Sequence, residues 1–96
     1  LDLADNVLAA LPESVGGMAQ LRRLNLRNNA LAALPESLGQ LVELTHLDLR
    51  ANPLSSLPDA IAALPRLEKL DLRWCPLKAP PAWIGKLRNR GCLIYL

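Results

Sequence analysis

Phenylalanine is absent from these 96 residues, and only Trp74, Trp83 and Tyr95 are aromatic. About half of the chain is nevertheless apolar, and Leu dominates that half. A core built from one aliphatic type points to stacked, similar layers instead of one irregular centre. Cysteine is scarce as well: Cys75 and Cys92 are too few for a disulfide framework. No stretch approaches the ~20 apolar residues that a membrane-spanning helix needs. No Asn-x-Ser/Thr acceptor and no signal-peptide pattern occurs. There is no glycine-rich phosphate loop and no cluster of metal-ligand residues, and His46 is the only histidine. A formal charge of +2 is too small to point to nucleic acid. That charge is unevenly placed. All nine acidic residues lie at or before Asp71, whereas Arg73, Lys78, Lys86, Arg88 and Arg90 follow it. The basic last quarter reads either as a solvated cap or as a docking patch.

What the chain has in abundance is a repeat. Leu47-Asp48-Leu49-Arg50-Ala51-Asn52-Pro53-Leu54 recurs 23 residues earlier as Leu24 to Leu31 and 23 residues later as Leu70 to Leu77. A first copy begins at Leu1, and a fifth starts at Leu93-Ile94-Tyr95. The expected columns run without an insertion. Leu1, Leu24, Leu47, Leu70 and Leu93 form one inward column, and Leu3, Leu26, Leu49, Leu72 and Tyr95 form the next. Pro12, Pro35, Pro58 and Pro81 mark the middle of each unit. Leu-x-Leu alternates at period two, which predicts a short strand buried on one face. After each proline the apolar residues fall at wider steps, as in Leu38, Leu41 and Leu44. That spacing predicts a short helix or 3₁₀ segment, opened by a proline whose missing N–H costs nothing there. Gly16, Gly39, Ala62 and Gly85 keep one helical column small for close packing. A single unit buries too few leucines to offset the entropy of ordering it, so stability requires stacked neighbours. The expected architecture is an α/β solenoid: a right-handed curved superhelix, with a short parallel sheet on the concave side and helical segments on the convex side. Units at 1–23, 24–46, 47–69 and 70–92, and a terminal strand at 93–96, make one domain, with 76–96 as its cap. The chain starts mid-repeat without an initiator Met, so it is expected to be a piece of a longer protein with further repeats upstream.

The pattern Leu-x-x-Leu-x-Leu-x-x-Asn-x-Leu-x-x-Leu-Pro-x-x-Leu-x-x-Leu, as in Leu21 to Leu41, resembles the leucine-rich repeat. The 23-residue length and the Leu-Pro pair are similar to those of the intracellular Ras-related group and of bacterial leucine-rich-repeat proteins. The resemblance implies a structural ladder at Asn6, Asn29 and Asn52, continued by Cys75. An amide at that turn can satisfy backbone groups of its own and the adjacent layer. It also implies a protein partner and an intracellular setting, cytoplasmic or inside a host cell after delivery as an effector. No cofactor, nucleic acid or membrane partner is expected. The protein is expected to be a monomer, although the bare first strand leaves an edge open to pairing.

Residues between the buried leucines line the exposed strand face. One column is Arg23, His46, Lys69 and Cys92; the next is Asp2, Asn25, Asp48, Asp71 and Ile94; the third is Ala4, Arg27, Arg50, Arg73 and Leu96. Trp74 stands beside them in a column otherwise held by Asp5, Asn28 and Ala51. Two readings fit. The Arg and Asp ladders neutralise each other as a solvated surface, or they form a recognition face. The candidate partner-binding set is Arg23, Asn25, Arg27, His46, Asp48, Arg50, Lys69, Asp71, Arg73 and Trp74. His46 and Asp48 are only part of a catalytic set, with no nucleophile beside them, so these residues are not read as an enzyme. The leading expectation is a protein-interaction module. Its rival is the substrate-recognition part of a larger protein, either a bacterial ubiquitin-ligase effector or a protein with a GTPase or kinase domain. Because Cys75 and Cys92 fall in different columns, two free thiols are expected to react with Ellman's reagent after denaturation without reductant. Finding none would refute that spacing argument.

Overall fold

The computed structural model describes residues 1–96. Three 3₁₀ turns, Glu13–Gly17, Glu36–Gln40 and Asp59–Ala63, alternate with strands β1 (Arg23–Asn25), β2 (His46–Asp48) and β3 (Lys69–Asp71). Helix α1 (Ile84–Asn89) and strand β4 (Leu93–Tyr95) close the chain. The strands form one parallel sheet in the order β1-β2-β3-β4, and Asp2 adds a single bridge to Asn25 at the first edge. Each 3₁₀ turn follows an extended proline, Pro12, Pro35 or Pro58, at φ −70, −73 and −68. These are the values the pyrrolidine ring imposes. Apolar residues three apart suit the 3₁₀ turn, where i and i+3 eclipse.

The interior is a stack of leucines: sixteen of the 21 residues in the buried cluster are Leu. The 3₁₀ turns pack closely enough that a Cβ on Gly16 would lie 2.8 Å from Ser37 O, and one on Gly39 would lie 3.0 Å from Ala60 Cβ. Gly85 differs from the expectation, since a Cβ there would meet nothing.

The fourth unit also departs from the others in register. Arg23 pairs with His46 and His46 with Lys69, but Lys69 pairs with Leu93, 24 positions on. The fourth unit therefore contains one extra residue, and the expected uninterrupted columns fail at β4. The cause is α1, a true α-helix of six residues where the other units have five-residue 3₁₀ turns. It ends in a Schellman arrangement: Gly91 sits at φ +89, its N–H donates to Arg88 O at 3.0 Å, and Cys92 N–H donates to Leu87 O at 3.0 Å. Cys92 and Leu87 are both buried in the core. Consequently Cys92 lies inside and Ile94 packs against the core, while Leu93 and Tyr95 turn onto the open face. This is the reverse of the assignment made from the period alone. Trp83 covers this end, buried and donating its indole N–H to Asp59 Oδ1 at 3.2 Å. Arg90 reaches back to Leu64 O at 2.8 Å.

Where the chain leaves each strand, inward-pointing carbonyls meet the asparagine ladder. Asn52 Nδ2 donates to Leu26 O at 2.9 Å in the preceding layer and to Leu49 O at 3.0 Å in its own, and its Oδ1 accepts Leu31 N–H at 3.2 Å. Asn29 repeats the pattern with Leu3 O, Leu26 O and Leu8 N–H. Asn6, exposed in the first layer, keeps the bonds to Leu3 O and Ala4 O. Cys75 retains one link, from Sγ to Leu49 O at 3.1 Å. Removing a buried amide strands several polar groups at about 1–3 kcal/mol each. Asn52→Ala should therefore lower the stability from urea unfolding by at least about 2 kcal/mol, against less than half of that for Asn6→Ala. Cys75→Asn should gain about 1 kcal/mol by completing the ladder. Equal losses at positions 6 and 52 would contradict this account.

Candidate interaction face

The open face is built around a backbone feature that leucine spacing does not reveal. Asp5, Asn28, Ala51 and Trp74 have φ of 60, 56, 56 and 64. The chain thus leaves the Asp2 bridge and strands β1, β2 and β3 through the left-handed region. Asp and Asn enter that region readily, Ala less so, and a bulky residue there is an outlier. The turn is prepared by the preceding acidic and amide column. Side-chain Oδ1 of Asp2, Asn25, Asp48 and Asp71 accepts the backbone N–H two residues on, from Ala4, Arg27, Arg50 and Arg73, at 3.0–3.2 Å. This column is therefore partly architectural, a role visible in the sequence only as an Asx two residues before the turn.

The same carboxylates grip the arginines. Arg50 Nε lies 3.0 and 3.1 Å from the two Asp48 oxygens and its Nη2 lies 2.6 Å from Oδ2. Arg73 forks onto Asp71 through Nε at 3.0 Å and Nη2 at 2.7 Å. Arg50 Nε also approaches Asp71 Oδ2 at 3.4 Å, which ties two layers together. Arg27 faces Asn25 instead of an aspartate and forms no ion pair. Asp71 is only 1% exposed. It holds Arg50 and Arg73 in place from below and offers a partner almost no surface of its own.

The register shift supplies what the sequence reading missed. Tyr95 stands on the open face beside Asp71, 5.3 Å from Lys69 Nζ and 5.1 Å from the Arg73 guanidinium carbon. Arg73 also lies 5.8 Å from the Trp74 ring. These are cation–π distances. The signal for this cluster was Gly91, a helix-stopping residue that allows a longer final turn. Arg23 is exposed, while Asn25, His46 and Lys69 are half-buried. With Asp2 and Asp48 they line a shallow depression of about 370 Å³. His46 Nδ1 lies 2.8 Å from Thr45 Oγ1, which hydrogen-bonds Arg22 O at 3.0 Å. The ring is thus held by Thr45, not by Asp48. No three His, Cys, Asp or Glu side chains converge on a metal position. No helix is long and apolar enough to cross a membrane.

Short parallel strands, 3₁₀ returns and a buried asparagine ladder define a leucine-stacked repeat solenoid. The chain belongs to the leucine-rich repeat family: the family model described as a leucine-rich repeat region matches residues 1–95. The chain is similar to the leucine-rich-repeat protein LIC12759 of Leptospira interrogans, with 34% identity over 98% of this chain and a TM-score of 0.86. It is also similar to the leucine-rich repeat domain of the type III effector XCV3220 (XopL), with 31% identity over 94% of this chain and a TM-score of 0.66. The chain spans 24% and 39% of those two structures. No curated protein matches it.

Burial pushes the Asp71 carboxyl toward a higher pKa. Hydrogen bonds from the Arg73 side chain and backbone, then the charges of Arg73 and Arg50, outweigh burial and leave it below the ordinary value. A carboxyl depressed in the folded state contributes stability above its unfolded pKa of about 4 and loses it as pH falls through the folded value. The urea midpoint should accordingly hold between pH 7 and about 5 and decline below about 4. In Asp71→Asn that decline should be shallower, and an identical acid profile would exclude Asp71 as its source.

Proposed function

We propose that this domain is a protein-interaction module and that its open sheet face binds a protein partner. The observation that carries the reading is Trp74. It is 70% exposed, and it holds φ 64 at a position where the first two layers use Asp5 and Asn28. A large apolar side chain in that conformation costs on the order of 1–2 kcal/mol and buries almost nothing in return. Folding therefore gives no reason for it, whereas Trp, Tyr and Arg together are the residue types of interaction hot spots. Arg73 and Tyr95 stand beside it, and the guanidinium is already fixed, so little side-chain freedom is lost on binding. Leucine-rich repeat domains are in general non-enzymatic binding modules, which agrees with this reading.

A second reading rests on the similarity to the type III effector domain. Here the same face would select the protein on which a linked catalytic domain acts, and the setting would be the cytoplasm of a host cell. The flanking reading frame separates the two, because a catalytic domain there favours the second.

Trp74→Asn should separate folding from recognition. Its stability to urea should be unchanged or higher by up to about 1 kcal/mol, as relief of the strained backbone offsets the lost contact with Arg73. Affinity capture with wild-type protein should retain at least one protein that both Trp74→Asn and Arg50→Ala lose. A clear drop in stability for Trp74→Asn would show that the tryptophan serves the fold. Capture unchanged in both variants would remove the face as the binding surface.

A further inference from the structure

The open face changes character along the stack. Its first layer is acidic, since Asp2 and Asp5 are exposed and form no ion pair. The middle layers hold neutralised pairs, because Asp48 and Asp71 are each taken up by a guanidinium. Arg23, Arg27 and Lys69 are left as cations without a carboxylate. Arg50 and Arg73 engage their aspartates through Nε and Nη2, so Nη1 of each remains a free donor edge. The last two layers add Trp74, Leu93 and Tyr95, all exposed.

An incoming carboxylate would meet Arg50 already fixed in place by an aspartate whose charge it neutralises, and Arg27 and Lys69 with no internal counter-charge to displace. An apolar side chain next to that carboxylate would find the aromatic edge of the last two layers. A single-stranded nucleic acid fits less well. Its regular row of phosphates would run past Asp2 and Asp5, and the whole chain offers a net charge of only +2.

Resting on the reading of this face as a protein-binding surface, we infer that the partner presents an acidic linear segment with an apolar anchor. The segment runs from the second layer to β4. Its carboxylates face Arg27, Arg50 and Lys69, and its anchor rests on Trp74 and Tyr95. Asp2 and Asp5 repel the acidic stretch from the first layer and so fix its position along the stack.

Selection from a displayed library of random 12-residue peptides against the immobilised domain tests the partner's chemistry without knowing its name. Enriched sequences should be acidic relative to the unselected library and should carry an aromatic or large aliphatic residue. Enrichment should vanish with Trp74→Ala and with Arg50→Ala. Lys69→Glu should weaken the enriched peptides on the order of tenfold. Raising NaCl from about 0.05 to about 0.5 M should weaken them as well, since screening shortens the reach of exposed charges. Enriched peptides that are neutral or basic yet still need Trp74 and Arg50 would overturn the acidic assignment and leave the face as a binding surface. Enrichment indifferent to both substitutions would overturn the face itself. A selection that enriches nothing would overturn the linear segment, while protein capture remains as the separate test of the face. Tighter binding of a twelve-nucleotide uridine RNA than of any enriched peptide would also overturn the inference.

Discussion

A parallel strand that must turn away from its sheet within one or two residues exposes its last carbonyls to the interior, where no water can reach them. The buried side-chain amides answer that constraint. Asn52 joins Leu26 O of one layer to Leu49 O of the next, so the same atoms that satisfy a turn also cement two turns together. Leucine burial supplies most of the driving force, yet it is non-directional and would tolerate sliding between layers. The amide is directional. It fixes the stagger at one repeat per layer, which in turn sets the spacing of everything displayed on the open face.

The left-handed residue after each strand is the other half of that turn, and it links architecture to surface. Because Asp48 and Asp71 cap the N–H groups of Arg50 and Arg73, each arginine begins its side chain beside the carboxylate that will hold it. Backbone geometry, not chance proximity, makes the pair. Pairs between half-exposed partners contribute little to stability. Asp71 is different, since it is almost fully covered and touches two guanidinium groups. Removing one partner there would leave a desolvated charge behind.

Most of the fold was legible from the 23-residue period, because each layer solves the same packing problem with the same residues. Strand positions, proline-led turns and the Asn column all followed from it. The last layer was not, and the reason is physical. A period read from leucine spacing assumes the same turn length in every unit, and the fourth unit breaks that assumption with a longer, α-helical turn. There Ile84 to Asn89 relax into an α-helix, Gly91 closes it, and one extra residue reverses the facing of β4. Cys92 and Ile94 moved inward, and Tyr95 moved out, for that reason. The surface columns match the strand register as far as Asp71 and fail beyond it, and they carry no information on burial. Nothing in a list of columns says that Arg50 and Arg73 will close over Asp71.

These features meet in two adjacent layers. The fourth unit carries the costliest backbone, at Trp74, and the deepest acid–base pairing, at Asp71, and β4 beside it adds Tyr95, the other aromatic side chain on the open face. In a globular core such a concentration would endanger the whole molecule. In a stacked repeat each layer contacts only its neighbours, so strain in one is borne locally while the interior leucines of the others are untouched. One layer can therefore carry a costly surface residue such as Trp74 while the packing of the others is kept.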